Sequence, residues 1–405
     1  MVEKKKEAKR GSFKIWLFVF LVLCLFFQWI LNYHLKTHLE GTILESLLPG
    51  LGIFAAAFML SWAAELAQLD IPQTLALTLL ALIAVLPEYA VDVYFAWMAG
   101  KDPSYIAYAT ANMTGSNRLL IGLGWPTVVL VYWLKTRRKG IELEPSHRIE
   151  TSSLLYATIY SFIIPLKGTL SLVDFFFFIA IFIHYIYRAS HAEMIEPELA
   201  GPAEMIATWP RTLRRIITIS LFLLSGYVIY IAAEPFAEGL LHTGRRFGVE
   251  EFILVQWLAP LASESPEFIV AVIFAARALT GSSFGTLLSS KVNQWTLLIG
   301  MLPLVFSISY GAIRPMPLDA RQTEEIFLTS AQSLFAVAIL SNMHFSWREA
   351  LILLILFSMQ LIFPSSSVRW AFGILYVVLA VGIFAFSGSK RQGFMTLIKH
   401  PFKGS

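Results

Sequence analysis

The chain has 405 residues, 57% of them apolar and only 14% charged, where soluble domains carry roughly 25% charged residues. That composition excludes a soluble enzyme, a disordered chain and a nucleic-acid binder. A net charge of +4 is informative only through its placement, and the single cysteine, Cys24, excludes an internal disulfide framework.

A membrane-spanning helix needs about 20 mostly apolar residues. Twelve such segments follow one another along the chain, at 13–32, 45–68, 72–99, 104–134, 151–167, 171–187, 213–241, 250–279, 283–311, 323–342, 347–363 and 367–387. The first follows a basic start (Lys4, Lys5, Lys6, Lys9, Arg10) and its apolar run is longer than a secretory signal's, so it reads as a retained anchor. Strict barrel alternation is missing from all twelve. The expected fold class is therefore an all-α polytopic membrane protein.

Placing the N-terminus in the cytoplasm puts 20 Lys and Arg on the inner side and 8 on the outer. This split fits the positive-inside rule, with both termini cytoplasmic in a cell (inner) membrane. The longest loop, 189–212, holds Pro197, Pro202 and Pro210 and separates two halves, 45–188 and 213–363. Residues 1–44 form a basic tail and an extra helix, and 364–405 another extra helix and a basic tail.

The halves repeat. Leu86-Pro87-Glu88 and Ser265-Pro266-Glu267 each place Pro-Glu in the middle of an apolar segment. Each is followed by a segment with a mid-span asparagine, Asn117 or Asn293, and each asparagine precedes a glycine by seven positions, at Gly124 and Gly300. The two Pro-Glu segments lie five spans apart, so they cross the membrane in opposite directions. The architecture expected is a core of two inverted five-helix repeats plus one extra helix at each end. Transporters built in this way hold substrate near the midplane, where the repeats meet.

Proline cannot donate to the carbonyl four residues back, so Pro87 frees that of Ile83 and Pro266 that of Ala262. A glutamate at mid-span costs at least about 3 kcal/mol unless it is compensated. Glu88 and Glu267 together carry a charge of −2, which matches one divalent or two monovalent cations. Hard cations take oxygen ligands, and the candidates are Glu88, Glu267, Asn117, Asn293, Glu264, Asp92, Ser116, Ser263 and Ser290, with Glu88 and Glu267 as the principal metal ligands. Asp92 lies one helical turn after Glu88. Glu264 shares a face with Glu267 and is either a ligand or the salt-bridge partner of Lys291. Lys291, inside a span, reads as a charge-compensating or coupling residue. Arg118 reads as structural, and Glu65, Glu234 and Glu238 as interfacial.

These residues resemble the cation/Ca2+ exchanger superfamily, whose two repeats carry a pattern close to Gly-Thr-Ser-Leu-Pro-Glu and then Gly-Asn-x-x-Gly-Ser-Asn. The matching residues are Leu86-Pro87-Glu88, Ser265-Pro266-Glu267 and Ala111-Asn112-Met113-Thr114-Gly115-Ser116-Asn117. The chain departs from the pattern at Ala84 and Val85, at Ser263 and Glu264, and in the second Gly-Ser-Asn, read as Lys291-Val292-Asn293. The resemblance implies a secondary active cation antiporter that exchanges Ca2+ for Na+ or H+ by alternating access. The alternatives are a monovalent cation (Na+ or K+)/H+ antiporter on the same fold and, behind it, a cation channel. No enzyme activity and no cofactor are expected. The partners expected are inorganic cations and the lipid bilayer, and the sequence sets no oligomeric state. An intramembrane zinc protease is excluded because no His-Glu-x-x-His occurs.

Overall fold

A computed structural model describes residues 2–37, 42–70, 86–191, 199–363 and 365–399. Seventeen α-helices lie within them, α1 to α17 in chain order. Ten helical segments among the described residues are long and apolar enough to cross a membrane. Two further segments read from the sequence complete the set of twelve. One is α15 (Trp347–Ile362), 16 residues long. The other is α3 (Leu86–Ala99); the first part of that segment, including Ile83, Ala84 and Val85, lies outside the described residues.

The fold divides into two compact units. The first comprises residues 1–91, 195–251 and 262–266. Its centre is the pair α2 (Leu44–Ala67) and α10 (Arg211–Phe247), flanked by α1 (Val2–His34) and the short α9 (Pro202–Ala207). Small residues let α2 and α10 close on each other. A Cβ added at Gly239 of α10 would lie 2.6 Å from the Glu45 carbonyl oxygen, so only glycine fits there. The two helices run antiparallel. Asp70, just past the end of α2, is bonded by Arg211, Arg214 and Arg215 at the start of α10, while Glu45 at the start of α2 bonds His242 near the end of α10. These are the first helices of the two halves, and their opposed directions are those of an inverted repeat. Glu65, read as interfacial, is buried two residues before the end of α2, and its carboxylate accepts from the Ala200 amide at 2.9 Å.

The second unit comprises residues 92–194, 252–261 and 267–405. Here α4 (Tyr105–Leu119) passes through a π turn (Leu120–Gly124) into α5 (Trp125–Thr136), and α12 (Thr280–Asn293) passes through a π turn (Gln294–Leu298) into α13 (Ile299–Tyr310). Then come α6 (Arg148–Ser161), α7 (Ile163–Lys167), α8 (Leu172–Ala189), α14 (Ala320–Leu340), α15, α16 (Ser366–Phe386) and α17 (Gly388–Lys399). Capping boxes at Ser171, Asp319 and Ser346 start α8, α14 and α15. Two small antiparallel ladders join loops. Gly140–Glu142 pairs with His344–Ser346, and Thr169–Leu170 with Met316–Pro317. Each ladder joins two loops that the charge count places on the same side of the membrane.

Helix α11 (Glu251–Ala276) runs unbroken through Pro260 and Pro266. Elsewhere in the described residues α geometry gives way to π turns at Leu120–Gly124 and Gln294–Leu298 and to a 3-10 turn at Pro145–His147.

Candidate cation site

Helix α11 is seated against α4 at Gly115, where an added Cβ would fall 1.8 Å from the Gln256 carbonyl oxygen. No side chain larger than hydrogen fits there. The Gln256 amide also reaches Thr114 Oγ1, at 3.4 Å. Further along, the Ser283 hydroxyl of α12 donates to the Ala271 carbonyl of α11 at 2.6 Å. That second attachment brings Glu267 beside α12, and the Ser290 hydroxyl donates to Glu267 Oε2 at 2.6 Å.

The next residue, Lys291, is fully buried. Its ammonium donates to Asn117 Oδ1 at 2.5 Å and stands 4.4 Å from the centroid of the Trp295 ring. Asn117 in turn donates through Nδ2 to the Met113 carbonyl at 2.8 Å. Its amide is thus fixed, with the oxygen held toward the lysine. Beside this group Asp92, also fully buried, accepts from Asn112 Nδ2 at 3.0 Å.

Several buried oxygens here have no hydrogen-bond partner among the described residues: Asp92 Oδ2, Asn112 Oδ1 and Gln294 Oε1. Buried polar atoms left in this way are costly, and oxygen donors are what a hard cation needs. Ser116 turns its hydroxyl proton to the Asn112 carbonyl at 2.7 Å, which leaves its lone pairs available. Asn293 is buried as well. In the first unit Glu88, Ser263 and Glu264 are all buried, Glu88 to 2% exposure. Among the described residues no group of three or more His, Cys, Asp or Glu side chains gathers as a metal cluster. Any ion held here would lean on amides and hydroxyls as well as carboxylates.

The π turns correct the register of the repeat. Counting back three residues from the first position of each turn gives Asn117 in the first half and Lys291 in the second. On that count Ser116 matches Ser290, and Asn117 is equivalent to Lys291 rather than to Asn293. The equivalent residues touch each other. The Trp125 ring, after Asn117, meets Phe284, which precedes Lys291, with ring centroids 5.1 Å apart. The two helical stretches therefore cross antiparallel at the Asn117–Lys291 contact. A π turn has five residues per hydrogen-bonded step and recurs at functional sites. Both turns follow directly on the candidate ligands.

Sequence reasoning missed Asn112, Gln256 and Gln294 as members of this group. Asn112 stands inside the quoted repeat pattern, and Gln256 and Gln294 are amides within apolar spans, so polarity at that depth was the available signal. It also left Arg118 without a partner. Arg118 Nη1 is hydrogen-bonded to Glu325 of α14, both side chains are buried, and the guanidinium lies 5.0 Å from the Trp257 ring centroid.

The profile of the sodium/calcium exchanger protein family matches residues 47–190 and 217–366. The chain belongs to the sodium/calcium exchanger family. Among solved structures, this family member is similar to one described as the H+/Ca2+ exchanger CAX, with 43% identity and a TM-score of 0.91, over 96% of this chain and 98% of that one. It is also similar to native YfkE, at 17% identity and a TM-score of 0.60 over 91% of this chain and all of that one. A sodium-calcium exchanger, NCX_Mj, matches at 14% identity and a TM-score of 0.53, over 78% and 97% of the two chains. These last two likenesses concern the fold. No curated protein sequence matches the chain.

Proposed function

We propose that this member of the sodium/calcium exchanger family is a secondary active antiporter that moves Ca2+ across the cell membrane in exchange for H+. The observation that carries the reading is the 43% identity with an H+/Ca2+ exchanger over nearly the full length of both chains. The geometry of the second unit supports it. A carboxylate held by a hydroxyl and several orphaned oxygens form the kind of donor set a hard divalent ion takes.

In this reading Glu88 and Glu267 are the charged ligands, Asp92 and Glu264 add carboxylates, and Ser116, Ser263, Ser290 and Asn293 add neutral oxygens, while the Asn117 oxygen is taken by the Lys291 ammonium. Exchange follows from competition. Protons and Ca2+ bind the same carboxylate oxygens, so loading one displaces the other. A set of carboxylates in a dry site cannot stay charged and empty, and an unloaded protein is therefore poor at switching sides. Two inverted repeats, 45–188 and 213–363, joined by the linker 189–212, carry the alternating access. Both termini lie in the cytoplasm, on the strength of the 20-to-8 charge split.

The test is Ca2+ uptake into proteoliposomes holding the purified protein. An imposed pH gradient is expected to drive uptake, which stops when the gradient is collapsed. Uptake that proceeds without any counter-ion gradient would indicate a channel and contradict the reading.

A further inference from the structure

The two repeats differ in chemistry at a pair of equivalent positions that touch each other. Asn117 offers a neutral amide, and its counterpart Lys291 offers an ammonium. Lys291 stands in the last turn of α12, but the chain continues through the π turn into α13, so the stem has no free helix end from which to reach water. The ammonium is fully buried, it donates to Asn117 Oδ1, and it rests over the face of Trp295. One residue earlier, Ser290 is bonded to Glu267. The lysine therefore behaves as a monovalent cation on a tether, already seated on an amide oxygen and an aromatic face, both of which favour cations.

Counter-ion choice depends on how many seats the site has. Two Na+ ions are needed to carry the charge of one Ca2+, so coupling to Na+ requires at least one oxygen cluster beyond the carboxylates. Protons bind on the carboxylate oxygens themselves and require none.

We propose that Lys291 excludes Na+ from this exchanger: its ammonium fills, at Asn117 Oδ1, the position a transported Na+ would occupy, and H+ is left as the counter-ion. This rests on the Ca2+/H+ reading above and names the residue that sets its counter-ion. Asn117 is a positioning partner, and its amide is turned toward the lysine by the bond to the Met113 carbonyl.

The experiment compares the full-length wild type with Lys291→Asn, which restores the residue of the other repeat, and with Lys291→Arg, which keeps the charge. Each is reconstituted, and Ca2+ uptake is measured under an outward Na+ gradient at equal pH and under a pH gradient without Na+. Wild type and Lys291→Arg should respond to the pH gradient alone. Lys291→Asn should respond to the Na+ gradient as well, because removing a neighbouring unit charge from a site of low effective dielectric favours Na+ there by roughly a hundredfold.

A second readout does not require transport. In detergent, NaCl against choline chloride should raise the melting temperature of Lys291→Asn and leave wild type and Lys291→Arg unmoved. Should the asparagine variant not fold, Lys291→Gln supplies the same amide for both measurements. Na+-driven uptake by the wild type would overturn the proposal while leaving Ca2+ antiport standing. So would an asparagine or glutamine variant that Na+ neither drives nor stabilises. A wild type that moves no Ca2+ under either gradient would instead sink the Ca2+/H+ reading, and this inference with it.

Discussion

Asp70 shows how one side chain can report on the fold from outside the membrane. Arg214 bonds its Oδ2 at 2.9 Å, and Arg211 and Arg215 bond its Oδ1 at 3.1 Å each. The Arg214 hydrogen bond is the largest influence, burial opposes it, and Arg211 and Arg215 reinforce it. Together they hold the carboxyl below its ordinary value, at about 2. A carboxylate whose pKa is lower in the folded protein stabilises the fold above its unfolded pKa, and that stability is lost as pH falls toward the folded value. Asp70→Asn should therefore lower the melting temperature at neutral pH, and the difference from wild type should shrink toward zero near pH 2. A difference that is constant across this range would show that the arginines do not act through the charge. At the same scale, the site was partly legible in the sequence. Glu267, Ser290, Lys291 and Asn117 stood out because charged and amide side chains are rare and expensive within apolar spans. The equivalence of Asn117 with Lys291 was hidden. The seven-residue Asn-to-Gly spacing recurs in both halves, but the π turns, which fix the true register, leave no mark in residue identity.

Among elements, α4 and α14 are locked by a pair that no local pattern could reveal. Arg118 and Glu325 are far apart in sequence, and nothing in the residues around either one names the other. Their side chains are 4% and 3% exposed and hydrogen-bonded to each other. Removing one partner of such a pair strands the other, at a cost of about 3–5 kcal/mol, whereas replacing both by apolar side chains of similar volume is close to neutral. Because Arg369 also lies 3.8 Å from Glu325, the change that strands its partner is Glu325→Leu; we expect it to lower thermal stability sharply, and Glu325→Leu combined with Arg118→Met to recover most of it. If the double variant were no more stable than the single one, the pair would not be what joins these helices. The unbroken path of α11 through Pro266 has a similar lesson. Proline removes one hydrogen bond, but the packing of α11 at Gly115 and Ser283 holds the helix on both sides of it.

Across the whole molecule, hydrophobic segment length and the placement of charge carried most of what could be known in advance. Spans and the two-fold repetition were legible because the bilayer constrains helix length more tightly than water does. The inverted relation appears within each unit separately, as α2 against α10 in one and as the two π-turn stretches in the other. Contacts between residues distant in the chain were not legible, since tertiary packing decides them and periodicity does not. The central claim is that the Pro-Glu carboxylates of the two halves are both required to bind Ca2+. Equilibrium binding of radioactive Ca2+ to purified wild type, Glu88→Gln and Glu267→Gln tests it most directly. The account predicts saturable binding to the wild type and its loss in each single variant. Binding of undiminished affinity and stoichiometry in either variant would contradict it.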